Sequence, residues 1–242
     1  MTYCVAMCLS DGLVFASDSR TNAGVDHIAT FKKLHVFSRN ADRVLVLQSA
    51  GNLATTQSVI NLLSARIQAE QEPNLMQAHS MYDAATLVGQ TLQEVVQRDS
   101  RAQQSGSTVN FGCNLLLGGQ IHGEPHRLFH IYPEGNFIEA TQDTPYFQIG
   151  ESKYGKPIID RVLRQDTPLE QAMCCALVSI DSTLRSNLSV GMPLDVMLYR
   201  ANSFDASGQR RITEDDPWFS TIRKAWSEGL QNTFRQLPPF VL

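Results

Sequence analysis

The chain opens with an alternation of side chains that is typical of a β-strand with two different faces. Tyr3, Val5 and Met7 alternate with small residues, and the run ends at the sequence Ser-Asp-Gly of residues 10–12. A second apolar run, residues 13–16, follows directly. Because Asp-Gly is a favoured turn between antiparallel strands, the pattern predicts a β-hairpin. The first residues of the chain are therefore expected to belong to the fold.

The rest of the chain falls into blocks of helical and strand patterns. Apolar residues recur at helical spacing in five segments, which are residues 52–70, 83–103, 155–165, 167–186 and 215–235. Short apolar runs predict further strands at residues 34–37, 44–48, 113–117, 127–132, 136–140 and 194–199. The stretch 19–30 is polar and rich in turn residues, and the loop 104–107 is expected to end the first helix pair.

The order of these blocks indicates the fold class. Strands are followed by two helices, then strands, two helices and a strand, which favours helices packed outside antiparallel sheets over alternating βαβ units. No internal repeat or low-complexity linker is present. We therefore expect residues 1–242 to form a single domain.

Composition and charge narrow the function classes. Of 242 residues, 43% are hydrophobic and 18% are charged, as in ordinary soluble proteins. The net charge of −4 and the absence of a basic run argue against nucleic-acid binding. No apolar stretch approaches the ~20 residues that span a bilayer, and no secretory signal pattern precedes the first strand, so we expect a cytoplasmic protein without a membrane partner.

The cysteines give no indication of a cofactor. Their count is odd and no CxxC pair occurs among them, which are Cys4, Cys8, Cys113, Cys174 and Cys175. This pattern predicts small buried thiols instead of a disulfide framework or a zinc site. We expect no metal and no cofactor.

Thr2 offers a candidate nucleophile. If Met1 is removed, as is usual before a small residue, Thr2 carries both a hydroxyl and a free α-amine that titrates near pH ~8. Such an amine can take the hydroxyl proton. Met-Thr alone is weak evidence, because many chains begin in this way. The hypothesis therefore depends on charged neighbours.

Those neighbours are present in the next strands. Asp18 ends the strand that returns towards Thr2, and Lys32 and Lys33 lead into a later strand. A lysine near the threonine would stabilise an alkoxide, and an aspartate would hold the lysine charged and in place. Because side chains alternate along a strand, only one of the two lysines can face the threonine.

At these residues the chain resembles a known family. Thr2, FASDSRTNAG, KKL and QSAGNLATTQ together resemble a proteasome β-type subunit of the N-terminal-nucleophile hydrolases. MTYCVAM, YFQIGESKYGKP and SNLSVGMPLDVMLY are similar to the bacterial Anbu (ancestral β-subunit) proteins, and the similarity extends along nearly the whole chain. The resemblance implies an α+β fold, a four-layer αββα sandwich. It also implies cofactor-free hydrolysis of peptides or proteins in a homo-oligomeric ring or open spiral, with any ATPase partner unknown.

The resemblance also implies roles for individual residues. Thr2 would be nucleophile and base, Asp18 and Lys33 the charge pair, and Arg20 a brace for Asp18. The backbone N–H of Gly51 would polarise the scissile carbonyl, although a glycine there also suits a strand-to-helix turn. By analogy, the substrate pocket would be lined by Thr21, Phe31, Ser49 and Leu53.

Two departures from the family pattern concern the threonine amine. The family's GSG motif is replaced by Gly150-Glu151-Ser152, so either Glu151 or Ser152 stands in place of the serine, and Ser152 has the matching group. The family's aspartate three residues before a serine is also missing, since the pair here is Ser186 and Ser189. Two possible substitutes are Asn187 and Asp181. The alternative to an active peptidase is a silent assembly or binding subunit.

Two further motifs have simpler interpretations. GESKYGKP, residues 150–157, lacks the hydroxyl of a phosphate-binding loop because Pro157 replaces it, so a strand-to-helix turn is favoured over a nucleotide site. The histidines at 122, 126 and 130 are spaced as if on a helix, but HGEP predicts a hairpin turn there, and no site for a metal is complete. His27 and His35 flank the expected cleft, either lining it or packing.

An apolar stripe runs along the last predicted helix. It consists of Trp218, Phe219, Ile222 and Trp226. Spacing of this kind predicts packing against the core or against another subunit.

Overall fold

A computed structural model describes residues 1–22, 28–101 and 109–241. In this part of the chain the strands are β1 (Tyr3–Leu9), β2 (Gly12–Asp18), β3 (Arg20–Asn22), β4 (Ile28–Thr30), β5 (Leu34–Arg39), β6 (Arg43–Gly51), β7 (Cys113–Ile121), β8 (Arg127–Ile131), β9 (Phe137–Glu139), β10 (Tyr146–Gly150), β11 (Leu194–Arg200) and β12 (Gln209–Ile212). The helices are α1 (Leu53–Gln68), α2 (Met81–Arg101), α3 (Lys156–Val162), α4 (Leu169–Ser186) and α5 (Pro217–Arg235). The predicted loop 104–107 and His27 lie outside the described residues.

Two five-stranded antiparallel sheets form the centre of the protein. One has the strand order β10-β1-β2-β11-β12 and the other β5-β6-β7-β8-β9, while β3 and β4 form a separate two-stranded sheet. The predicted first hairpin is confirmed, because Leu9 pairs with Gly12 across the turn. Gly12 has a φ of +146°, which a residue with a side chain rarely adopts.

Three apolar clusters separate four layers. Residues of β1, β2 and β11 pack under α3, α4 and the start of α5, and residues of β6, β7 and β8 pack under α1 and α2. The third cluster lies between the two sheets. The α+β, four-layer αββα arrangement expected from the sequence is therefore confirmed.

The alternation along β1 has a direct structural meaning. Tyr3, Val5 and Met7 contact the helical layer, whereas Cys4 and Ala6 face the second sheet. Both faces of the strand are buried, with large side chains towards the helices and small ones between the sheets. The start of the chain is consequently held in the middle of the sandwich.

The structure also contains strands that the local pattern did not predict. β3 and β4 occupy the stretch interpreted as turn-rich, and β12 is largely polar. β10 matters most, because it pairs with β1 and places Gly150 opposite Tyr3. The segment after β10 thereby lies beside the N-terminus.

The structure also gives the environments of the cysteines and of two histidines. All five cysteines are free thiols. His126 lies 2.7 Å from the Leu9 carbonyl oxygen and His130 lies 3.1 Å from the Asn114 side chain. The described residues include no helix that is both long and apolar enough to cross a membrane.

The first turns of α5 pack against the core. Phe219 is buried and Ile222 contacts the same core, but Trp218 and several later apolar side chains are exposed. The apolar stripe of α5 is therefore only partly buried within the described residues.

Candidate active site

Seven of the predicted catalytic and substrate-pocket residues line one pocket at the start of β1. The pocket has a volume of about 850 Å³. These residues are Thr2, Thr21, Phe31, Lys33, Ser49, Gly51 and Leu53. They come from β3, β6, the start of α1 and the segments before β1 and β5, so the fold brings together positions up to 51 residues apart.

A buried ion pair lies at the start of β1, next to the pocket that Thr2 lines. The Lys33 ammonium donates to Asp18 Oδ1 at 2.7 Å and to the Arg20 carbonyl oxygen at 2.7 Å. Asp18 is fully buried and Lys33 is 5% exposed. Such a pair is costly to desolvate and is stable only when further hydrogen bonds satisfy it, as the carbonyl contact does here.

Backbone groups complete the environment of the Asp18 carboxylate. Oδ1 accepts the Tyr3 N–H at 2.9 Å and Oδ2 accepts the Gly191 N–H at 3.2 Å. Burial raises the pKa of the Asp18 carboxyl, while the Lys33 charge and these two N–H groups oppose the rise. The carboxylate therefore ties together the residue next to Thr2, the lysine and the loop after α4.

The two neighbouring lysines have different environments. Lys33 is buried in the ion pair, whereas Lys32 is exposed at the pocket wall. His35 also lines the pocket, and burial together with the Lys32 charge lowers the pKa of its imidazole. Alternation along the chain thus leaves Lys33 alone facing Asp18.

Arg20 lies next to the ion pair but contacts a different partner. Its guanidinium donates to the Leu188 carbonyl oxygen at 3.1 Å and packs on Gly191, where an added Cβ would lie 2.1 Å from Arg20 Nε. The expected direct brace on Asp18 is replaced by this contact with the loop whose Gly191 N–H binds Asp18. The Arg20 contribution to Lys33 is its backbone carbonyl.

Gly51 ends β6 at the pocket in a conformation that requires glycine. Its φ is +133°, and an added Cβ would lie 2.6 Å from the Cys113 Cα atom. The need for glycine is therefore partly steric, as the turn interpretation suggested. The same absence of a side chain lets a substrate backbone approach.

We expect Gly51→Ala to lower the free energy of unfolding by about 3 kcal/mol, because backbone strain and a backbone clash add. Gly123→Ala is the matched control, since Gly123 also has a positive φ of +86° but no atom within 4 Å of the added Cβ. Its cost should be about 1 kcal/mol. Urea unfolding of both variants measures the difference, and equal losses would contradict a steric requirement at Gly51.

The three serines expected near the threonine amine lie outside the residues that line this pocket. The Ser152 carbonyl oxygen accepts the Lys156 N–H at the start of α3. Ser186 is the exposed last residue of α4, and the Ser189 N–H donates to the Asn187 side chain at 3.0 Å. Among the described residues, the structure does not bring these hydroxyls to the pocket wall.

The sequence left open how the aspartate missing at Ser186 is replaced. Asp181 is bound by Arg185 and Arg223, in the contact between α4 and α5. Asn187 instead reaches the N-terminus, where its Nδ2 lies 3.1 Å from Glu151 Oε2 and 3.8 Å from Met1 Sδ. Glu151 is itself buried beside Thr2.

The segment that resembles a phosphate-binding loop is occupied by contacts within the chain. A Cβ at Gly155 would lie 2.6 Å from the Tyr3 hydroxyl, and Lys156 Nζ donates to Tyr146 and Asp160. These glycine and lysine residues shape the approach to α3, which agrees with a strand-to-helix turn.

The family follows from a comparison with known proteins. A family model described as Proteasome subunit matches residues 2–197. The chain belongs to the proteasome family. Within it, the chain is of the Anbu type: an Anbu protein from Yersinia bercovieri is 68% identical, with a TM-score of 0.94 and coverage of 100% of this chain and 99% of that chain.

Further similar proteins are another Anbu protein and two proteasome subunits. A solved structure described as a helical assembly of the Anbu complex from Pseudomonas aeruginosa is 57% identical, with a TM-score of 0.95, over 99% of this chain and 98% of that one. A proteasome β subunit from Haloquadratum walsbyi is 26% identical over 81% of this Anbu chain and 72% of its own length. A proteasome subunit α 1 from Haloarcula marismortui is 28% identical over 54% of this chain, which spans less than half (45%) of that relative's length.

Proposed function

We propose that this Anbu protein is a threonine-type peptidase or amidase in which Thr2, freed by removal of Met1, is the nucleophile. The observation that carries the proposal is the position of Thr2 at the wall of the pocket that also exposes Lys33, whose ammonium is held by a fully buried Asp18. A fixed cation beside a hydroxyl favours its alkoxide form. This arrangement supports nucleophilic attack better than a passive role.

The proposed reaction uses groups of this chain only. The α-amine of Thr2 takes the hydroxyl proton as Oγ1 attacks the substrate carbonyl carbon, and the negative charge on the carbonyl oxygen is stabilised by the Gly51 N–H. The amine then protonates the leaving nitrogen, which breaks the amide bond and leaves an ester on Thr2. Water hydrolyses this ester with the same amine as base.

The pocket suits an extended peptide or protein segment as substrate. Its wall combines the apolar side chains of Phe31 and Leu53 with the polar ones of Thr21 and Ser49, and the cavity of about 850 Å³ accommodates more than one side chain. A mixed wall of this kind binds backbone and side-chain groups together. The proposed chemistry needs no cofactor.

We also propose that the chain works as a homo-oligomeric ring or open spiral. The relative from Pseudomonas aeruginosa is described as a helical assembly. In this chain α5 and the residues after it expose an apolar surface, consisting of Trp218, Leu230, Phe234, Leu237, Phe240 and Val241. Contact with another subunit would remove this surface from water.

Intact-mass measurement tests the catalytic proposal. We expect the purified chain to lack Met1 and to gain the mass of one threonine-directed epoxyketone per chain, because that reagent reacts with both the hydroxyl and the free amine. A chain that retains Met1 would contradict the proposal. A processed chain that assembles but gains no inhibitor would instead support the alternative, a silent assembly subunit, which Ser186 in place of the family aspartate favours.

A further inference from the structure

The environment of the N-terminus contains a buried acidic side chain that the proposed reaction does not yet use. Glu151 is 5% exposed and follows the strand β10 that pairs with β1. Carboxylates are seldom buried without a partner or a role, because desolvation disfavours the charge. The surroundings of this carboxylate indicate its role.

The Glu151 backbone is fixed directly on Thr2. Its N–H donates to the Thr2 carbonyl oxygen at 2.7 Å. The preceding Gly150 has a φ of +85°, and an added Cβ there would lie 2.0 Å from the same oxygen. Two successive backbone contacts therefore set the position of Glu151 relative to Thr2.

The Glu151 side chain is linked to Met1 through Asn187. Oε2 accepts the Asn187 Nδ2–H at 3.1 Å, and that same nitrogen lies 3.8 Å from Met1 Sδ. Met1 thus borders the pair formed by the carboxylate and the amide. When Met1 is removed, the Thr2 nitrogen becomes a free α-amine at this end of the chain.

The carboxylate retains capacity for another donor. Its second contact, with the backbone N–H of Lys153, is long at 3.4 Å. The Lys153 ammonium is 3.7 Å away on a side chain that is 72% exposed, so solvent screens this charge. An ammonium or amine at Thr2 is a suitable further partner.

We propose that Glu151, held by Asn187, is a positioning residue that orients the α-amine of Thr2 and replaces the aspartate absent at Ser186. This inference rests on the proposed function, since the amine becomes free only after Met1 is lost. A negative charge beside the amine stabilises its protonated form and raises its pKa, which makes it a stronger base. A hydrogen bond to the carboxylate also directs the lone pair towards the Thr2 hydroxyl.

Several other charged or titratable groups lie around the pocket and remain in a variant that changes Glu151 alone. Asp18 lies at the end of β2, Arg20 in β3 and Lys33 in the segment before β5. Lys153 lies in the loop after β10, and Lys32 and His35 line the pocket. Asp18 is the acidic group in this set, and it is engaged by Lys33. The loss of the Glu151 charge should therefore lower the pKa of the Thr2 amine.

Glu151→Gln tests the proposal with little change in shape. We expect kcat to fall about 10–100-fold with KM nearly unchanged, because the base is misoriented. The acid limb of kcat/KM against pH should also move to lower pH by about one unit, because an opposite charge near the amine is lost. A purely structural role would lower the rate without moving that limb.

Control variants separate the alternatives. Ser152→Ala removes the other candidate for the family's serine, and Glu214→Gln removes an exposed carboxylate of equal charge. Neither should move the acid limb. Adding Ser186→Asp to Glu151→Gln should restore part of the rate, because a carboxylate returns to the family position. A Ser152→Ala shift with no Glu151→Gln shift would overturn the proposal.

The pKa of the amine can be measured without turnover. Reductive methylation with ¹³C-formaldehyde places an NMR label on the Thr2 nitrogen, and its titration should shift to lower pH in Glu151→Gln. If this shift occurs in a protein that hydrolyses nothing, the positioning role stands and the proposed function fails. If the protein is active and the titration is unchanged, the proposed function stands and the positioning role is overturned. Met1 retained in both proteins overturns both.

Discussion

Replacing Thr2 with alanine should abolish amide hydrolysis while leaving the fold intact. The variant still allows Met1 removal and keeps the α-amine, so it deletes only the attacking oxygen and one methyl group. We expect the rate to fall by at least about 10⁴-fold, as for other removed nucleophiles. The measurements are peptide turnover and inhibitor labelling by intact mass.

The hydroxyl, and not the shape of Thr2, should account for this loss. Thr2→Ser keeps the oxygen and should therefore retain measurable turnover and inhibitor labelling. Thr2 is only partly buried, so melting temperature and assembly size should match those of the unmodified chain for both variants. Turnover by Thr2→Ala within tenfold of the unmodified protein would show that another residue is the nucleophile.

Lys33→Met should be both inactive and strongly destabilised. The substitution keeps the length of the side chain but leaves the fully buried Asp18 carboxylate without its cation. Removing one partner of a buried pair costs about 3–5 kcal/mol, because the remaining charge is uncompensated. Lys32→Met is the matched control, since Lys32 is adjacent but exposed and should cost well under about 1 kcal/mol.

The loss of stability should depend on pH in a defined direction. Burial already raises the pKa of Asp18, and without Lys33 the rise should be larger. At a pH between the unfolded and folded pKa values, the folded state keeps a proton that the unfolded state releases, so stability falls as pH rises through this window. Urea unfolding should therefore show a smaller loss at about pH 4.5 than at about pH 7.5.

A double substitution separates stability from catalysis. Asp18→Asn combined with Lys33→Met removes both charges, and a neutral buried pair is often no less stable than an ionic one. We expect the double variant to recover part of the stability at neutral pH and none of the activity. Recovery of activity would contradict a role for the Lys33 charge in attack by Thr2.

Local patterns were sufficient for much of the fold. The alternation of β1 with an Asp-Gly turn predicted the first hairpin, and helical spacing predicted α1, α2, α4 and α5 within a few residues. The hairpin also determines that Asp18 returns to Tyr3, so the approach of Asp18 to the N-terminus is already contained in the register of two adjacent strands. The pairing of adjacent strands depends on the two-residue alternation of side chains and on the turn residues, and both can be read from the sequence.

Only the tertiary structure decided the contacts between distant segments. β10 is short and pairs with β1 across about 140 residues of chain, so local patterns did not decide which of Glu151 and Ser152 lies on Thr2. Only the structure separated Asn187, which lies beside Met1, from Asp181, which is bound by two arginines. It also showed that Arg20 contacts Leu188 in place of Asp18. Strand pairing and side-chain direction at such sites are set by packing against partners far away in sequence, and the amino-acid pattern around each residue does not record those partners.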